Sequence, residues 1–158
     1  MAASTAALQQ SNGVRAAWNG IAGRIGSLIG DGLLALGARI GVGAVFFMSG
    51  RTKVSEGSLL TVSDGAYALF REEYKVPLLP PELAAHCATY AEHALPILLV
   101  LGLCTRLSAL GLLGMTAVIQ LFVYPSAWPT HLTWAVPLLF LVGRGAGPVS
   151  LDRALGLR

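Results

Sequence analysis

The run from Leu83 to Leu103, LAAHCATYAEHALPILLVLGL, constrains the fold more than any other part of the chain. It carries one carboxylate, Glu92, and about 20 mostly apolar residues suffice for a helix to cross the hydrocarbon core of a bilayer. Three further runs are similar, so the expected spans are residues 32–50, 83–103, 107–124 and 128–143. In hydrocarbon every backbone N–H and C=O needs a partner within the protein, which makes the long apolar run helical. The predicted fold is therefore an all-α, four-transmembrane-helix bundle surrounded by lipid. Charge content agrees: 12% of the residues are charged, against about 25% in soluble domains. The net charge of +3 does not indicate nucleic acid, because the arginines flank apolar runs instead of clustering.

Ahead of the first span, Val14, Trp18, Ile21, Ile25 and Leu28 recur at helical spacing, with Arg15, Asn19 and Ser27 on other faces. This predicts an amphipathic interfacial helix over residues 13–30, with an N-terminal extension of the first span as the alternative. Residues 1–12 are expected to be a disordered tail, and 31–158 to form the transmembrane domain. With four spans, one side of the membrane holds Arg15, Arg24, Arg106, Arg144, Arg153 and Arg158, and the other Arg51, Lys53, Arg71 and Lys75. The excess of arginine places both termini in the cytoplasm. Residues 51–82 then face outward, and Ser63 and Asp64 are expected to cap a short helix carrying Tyr67, Phe70 and Tyr74. Cys87 and Cys104 fall about 26 Å apart on a continuous helix, too far for a disulfide.

Polar side chains inside such spans are costly and need partners or a cavity. Arg39 in the first span and Glu92 in the second are expected to pair. His86, Thr89 and His93 share a helix face near Glu92; Thr116, Gln120 and Tyr124 share another on the third span; His131 opens the fourth. Together they predict a polar stripe that holds a ligand head group or relays protons. Plain helix packing, with the ion pair fixing register, is the competing reading. His86, His93 and His131 also leave haem or a metal as a weaker alternative, with no metal-binding motif to support it.

The segments ARIGVGAVFFMSGRTKV, YAEHALPILLVLGLCTRLSAL and GPVSLDRAL resemble the DoxX family of small bacterial membrane proteins over residues 36–155. The features that carry the resemblance are Arg39, Glu92, the Thr105-Arg106 turn and the Ser150-Leu151-Asp152 ending. It implies a four-helix bundle in the bacterial cytoplasmic membrane, associated with redox or sulfur-stress complexes, and a quinone as ligand class. The resemblance carries over Arg39 and Glu92 by position; with the polar stripe read from the residues, the head-group candidates are Arg39, His86, Glu92, His93, Gln120, Tyr124 and His131. The expected function is a quinone-interacting component of a membrane oxidoreductase, with other membrane subunits or a homo-oligomer as partners. The alternative is a non-catalytic accessory or assembly subunit. His93, where the family has a small residue, leaves the sulfur substrate open.

Overall fold

The computed structural model describes residues 2–77 and 79–157, with side chains described from residue 15 onward. Helix α1 spans Ala2–Leu28. It therefore takes in residues 2–12, expected as a tail; the alanines of AASTAAL favour helix. The position of Val14 on the apolar stripe lies outside the described side chains, but Trp18, Ile21, Ile25 and Leu28 are all exposed. Helix α2 is Asp31–Arg51. Helix α3, Asp64–Leu69, runs on as a π-helical turn over Phe70–Tyr74. Helix α4 is Pro81–Leu101; helix α5, Thr105–Val118, ends in a second π turn at Ile119–Val123. Helix α6 is Trp128–Arg144, and the short helix α7 is Leu151–Ala154.

Three of the predicted spans, α2, α4 and α5 with its π extension, are long and apolar enough to cross a membrane. No more than 39% of any of these spans is buried inside the chain. Leu33, Ile40, Met48, Ile97, Leu110, Leu121 and Phe122 are among the residues left outward-facing, so the bundle meets the bilayer over most of its surface. The 17 residues of α6 reach about 26 Å, a little short of the roughly 30 Å hydrocarbon core. Ala35, Val42, Phe46, Leu99, Ala109, Leu112, Leu138 and Leu141 form the central core, contributed by α2, α4, α5 and α6.

Helices α2 and α4 run antiparallel with a register that glycines make readable. A Cβ on Gly43 would come within 2.7 Å of the Val100 side chain, and one on Gly50 within 2.9 Å of the His93 ring. Residue 50 therefore lies level with residues 92–93, and residue 43 with residue 100. The first ten residues of α4 project past the end of α2. They are covered there by the connection between α2 and α4, whose Val62, Ala66 and Phe70 pack on Ala84 and Ala85 in a second core. Ser63 caps α3 as expected, accepting a hydrogen bond from the Ala66 N–H at 3.2 Å.

Candidate functional site

Arg39 and Glu92, expected to pair, lie at different levels of the bundle. Arg39 is 2% exposed and spends its guanidinium on backbone carbonyls: Nε on Leu99 at 2.8 Å, Nη2 on Val100 at 2.5 Å, Nη1 on Ala146 at 3.0 Å and Val149 at 2.6 Å. Leu99 and Val100 belong to the last turn of α4, where the Leu99 carbonyl also accepts the Gly102 N–H at 3.0 Å and a cation favours the helix dipole. Register explains the mismatch. Glu92 stands level with Gly50, eleven residues from Arg39 and so about 16 Å along α2.

The partner of Glu92 is Lys53, which follows α2 and folds back over its end. Nζ of Lys53 donates to Glu92 Oε2 at 2.6 Å, to Ser49 Oγ at 3.0 Å and to the Ser49 carbonyl at 3.2 Å, using all three ammonium protons. The two charged side chains are 6% and 4% exposed. Lys53 was the residue missed from the sequence, where it reads as a loop cation. The one signal was its place in the SGRTKV segment of the family resemblance.

This pair forms part of the lining of a cavity of about 410 Å³ between the α3 cap, α4, α5 and the start of α6. Its walls are mostly apolar: Phe70, Ala84, Ala88, Ala91, Met115, Val118, Ile119, Val123 and Trp134. Polar groups enter at few points, namely Ser49, Lys53, Glu92, Tyr74, Tyr124 and His131. Tyr74 and Tyr124 meet edge to face, with ring centroids 5.8 Å apart, and Tyr124 donates to the Glu73 carboxylate. Burial, followed by the nearby Glu73 carboxylate, pushes the Tyr74 phenol up, so it stays a neutral hydrogen-bonding group at physiological pH. Both tyrosines sit at π-helical turns, a geometry frequent at functional sites.

His131 is 5% exposed. Its Nδ1 lies 2.6 Å from Gln120 Oε1, while Gln120 Nε2 donates to the Pro125 carbonyl at 2.8 Å. That second bond orients the amide so that its oxygen faces the ring. Nδ1 therefore carries a proton, and in the neutral ring Nε2 is the acceptor. Gln120 thus acts behind His131, orienting it.

Glu92, Tyr124 and His131 of the predicted stripe come together in this cavity. His86 does not join them. It bonds Tyr67 Oη at 3.1 Å and the Glu82 carbonyl at 2.9 Å, which fastens the cap to α4. His93 turns toward α2, against Gly50 and Phe47, with Nδ1 bonded to the Thr89 carbonyl at 2.7 Å. Adjacent residues of a helix point about 100° apart, and here Glu92 faces the cavity while His93 faces α2. Among the described residues no group of three His, Cys, Asp or Glu side chains is placed to hold a metal ion. Cys87 lines the cavity, Cys104 lies at the other end of α4, and both are free thiols.

At that other end the remaining motifs converge. The Asp152 carboxylate accepts the N–H groups of Cys104 at 2.7 Å and Thr105 at 2.9 Å, capping α5. The Asp152 N–H donates to the Gly102 carbonyl at 2.7 Å. Burial alone would raise the Asp152 carboxyl, but the Thr105 and Cys104 N–H groups and the nearby Arg39 guanidinium hold it below its usual value. Arg106 donates to the Val142 carbonyl at 3.1 Å, tying the turn to α6. Arg39, Thr105-Arg106 and Ser150-Leu151-Asp152 are thus one knot that closes the bundle. Glu92 stands apart from it.

Fold and site define a small polytopic helical membrane protein with a lipid-facing exterior and an amphipathic cavity under an extramembrane cap. The family model DoxX matches residues 34–125. The chain belongs to the DoxX family. It is 29% identical over 134 residues to an uncharacterized protein of Haemophilus influenzae, covering 78% of this chain and 84% of that protein. No solved structure gives a significant match.

Proposed function

We propose that this DoxX-family protein is a quinone-interacting component of a membrane oxidoreductase complex in the bacterial cytoplasmic membrane, and that the cavity under the cap takes the quinone head group. One observation carries this: a largely apolar cavity whose lining includes a buried Lys53–Glu92 pair and the buried His131. Ligand sites have this character, mostly apolar with a few placed polar groups, in cavities of about 300–1,000 Å³. A quinone carbonyl accepts hydrogen bonds and a quinol hydroxyl also donates them. His131, with Nδ1–H held by Gln120, presents Nε2 as acceptor to the quinol and as donor when protonated. Glu92 accepts through the carboxylate oxygen that Lys53 does not hold, and Tyr74 supplies a donor. Reduction to quinol takes up two electrons and two protons; a partner redox subunit would supply the electrons, with Glu92 and His131 placed to pass protons. The same reading puts both termini in the cytoplasm and the cavity near the outer face.

Cys87 makes the proposal testable, because it lines the cavity. A short-chain quinone should slow alkylation of Cys87 in a Cys104→Ser background, and the purified wild type should carry extractable quinone. His131→Leu should lose both, while His93→Leu, on the α2 side, should keep both. Wild-type protein with no more quinone than an unrelated helical membrane protein, and no protection of Cys87, would overturn the assignment. The protein would then read as an accessory or assembly subunit in which the polar pair serves packing.

A further inference from the structure

At the end of the bundle away from this cavity lies a larger depression of about 920 Å³. It is bounded by the start of α2 at Asp31 and Gly32, the turn into α5 at Cys104–Leu107, and the loop from Arg144 to Pro148. We propose that this depression binds the headgroup of an anionic phospholipid.

Three guanidiniums line it, those of Arg106, Arg144 and Arg153, against two carboxylates, Asp31 and Asp152. Neither carboxylate cancels them fully. Asp152 is spent on the backbone N–H groups of Cys104 and Thr105 and stands near the buried Arg39. Asp31 holds Arg144 at 3.2 Å, in a pair whose side chains are 62% and 68% exposed. Such exposed pairs contribute little, and a phosphate readily displaces one. Arg106 gives one N–H to Val142, which fixes its plane while other donors of the fork stay available. A planar guanidinium matches two phosphate oxygens at once, so three of them around one hollow suit a phosphodiester. In the wall between Arg144 and Pro148, Gly145 and Gly147 are both at positive φ: Gly145 presents bare backbone toward Arg106, and Gly147 packs on Gly32 and Ala35 of α2.

The position selects lipid over a free anion. The depression lies where α2, α5 and α6 all reach the same end of the bundle, so it sits at a membrane boundary. Leu107 and Leu157 line it and are 70% and 49% exposed. A phospholipid brings a phosphate to that depth with acyl chains beside it, and basic pockets between spans are known to hold such headgroups. Inorganic phosphate would gain nothing from the leucines. The site is independent of what the opposite cavity holds.

Native mass spectrometry of the full chain in mild detergent, titrated with phosphatidylglycerol or phosphatidylcholine, tests the proposal. Wild type should prefer phosphatidylglycerol, and Arg106→Gln/Arg153→Gln should lose roughly fivefold in that preference per arginine. Arg106→Lys/Arg153→Lys should keep most of it, and Arg71→Gln at the other end should keep all of it. Arg153→Gln alone breaks no side-chain hydrogen bond of the described structure, so it gives a reading if the double variant does not fold. Equal binding of the two lipids by wild type, or an undiminished preference in Arg153→Gln, overturns the proposal. Displacement of phosphatidylglycerol by millimolar inorganic phosphate also overturns it, marking a site for soluble anions.

Discussion

An acid in mid-helix is explained by what reaches it. Glu92 is central in its own helix, but α4 is offset along α2, so the carboxylate lies where the chain leaves the first span and Lys53 can fold over it. Removing one partner of a buried ion pair leaves the other unpaired, at a cost of about 3–5 kcal/mol. Glu92→Leu and Lys53→Leu should each destabilise the protein on that scale, and the double change should recover part of the loss. Arg39→Leu with Glu92→Leu should instead be additive, because the two make no contact. Denaturant unfolding in detergent measures both cycles, and an additive Lys53–Glu92 cycle would mean the pair is not coupled. Asp152 makes a pH prediction at the same scale. Its carboxyl is held below the usual value in the fold, so the unfolded chain binds the proton first as pH falls. Its contribution is whole above the unfolded value of about 3.9 and is lost as pH drops through the folded one. Asp152→Asn should lower stability at pH 7 and flatten the loss seen below about pH 4 in wild type. Two stability curves from pH 3 to 7 that run parallel would show that Asp152 does not titrate with folding.

Glycine decides how closely the helices approach, and not every glycine does so. The GxG of α2 and the GxxG of α5 look alike as small-residue packing sites in the sequence. In the structure Gly43 meets Val100 and Gly111 meets Leu95, while Gly41 and Gly114 face open space. Gly50 has the least yielding neighbours of the three, since a Cβ there would meet the His93 ring at 2.9 Å and Glu92 Cβ at 3.0 Å. Gly50→Ala should therefore destabilise by about 1–3 kcal/mol, the usual cost of overpacking, whereas Gly114→Ala should be neutral or stabilising because alanine is the better helix former. Equal effects on thermal unfolding would contradict the α2–α4 register. The same register marks how far the sequence could be read. Span positions follow from hydropathy alone, because bilayer thickness sets their length, and α2, α4 and α5 fall close to their predicted limits. The offset between two antiparallel helices depends on which side chains interlock, and Gly43 and Gly50 do not announce their partners. Arg39 and Glu92 were each recognisable as buried and significant, but pairing them assumed helices aligned at their ends. Likewise His86, Glu92 and His93 looked like one stripe, and rotation about the helix axis sends them three ways.

Across the whole molecule the polar groups divide between two ends with different work. Arg39, Arg106 and Asp152 join α2, α4, α5 and α6 through backbone groups at and just beyond the helix ends, Ser150 caps α7 beside them, and this knot accounts for three of the four features that made the family recognisable. The other end holds Lys53, Glu92, Tyr74, Tyr124 and His131 around a cavity, under a cap built from residues 53–76. A bundle locked at one end and hollow at the other has a direction, and the orientation proposed for it rests on charge. Six arginines flank the closed end in the sequence against four cations near the hollow one, and Lys53 is buried in its pair with Glu92. The excess of arginine at the closed end is what supports the proposed orientation, with that end in the cytoplasm. In a background with Cys87 and Cys104 replaced by serine, Glu56→Cys, exposed in the cap, should react with an impermeant thiol reagent added to intact cells. Arg153→Cys should react only after the membrane is opened. The reverse pattern would put the cavity toward the cytoplasm, so that a ligand would reach Glu92 and His131 from the inner leaflet and any protons taken up there would come from the cytoplasm.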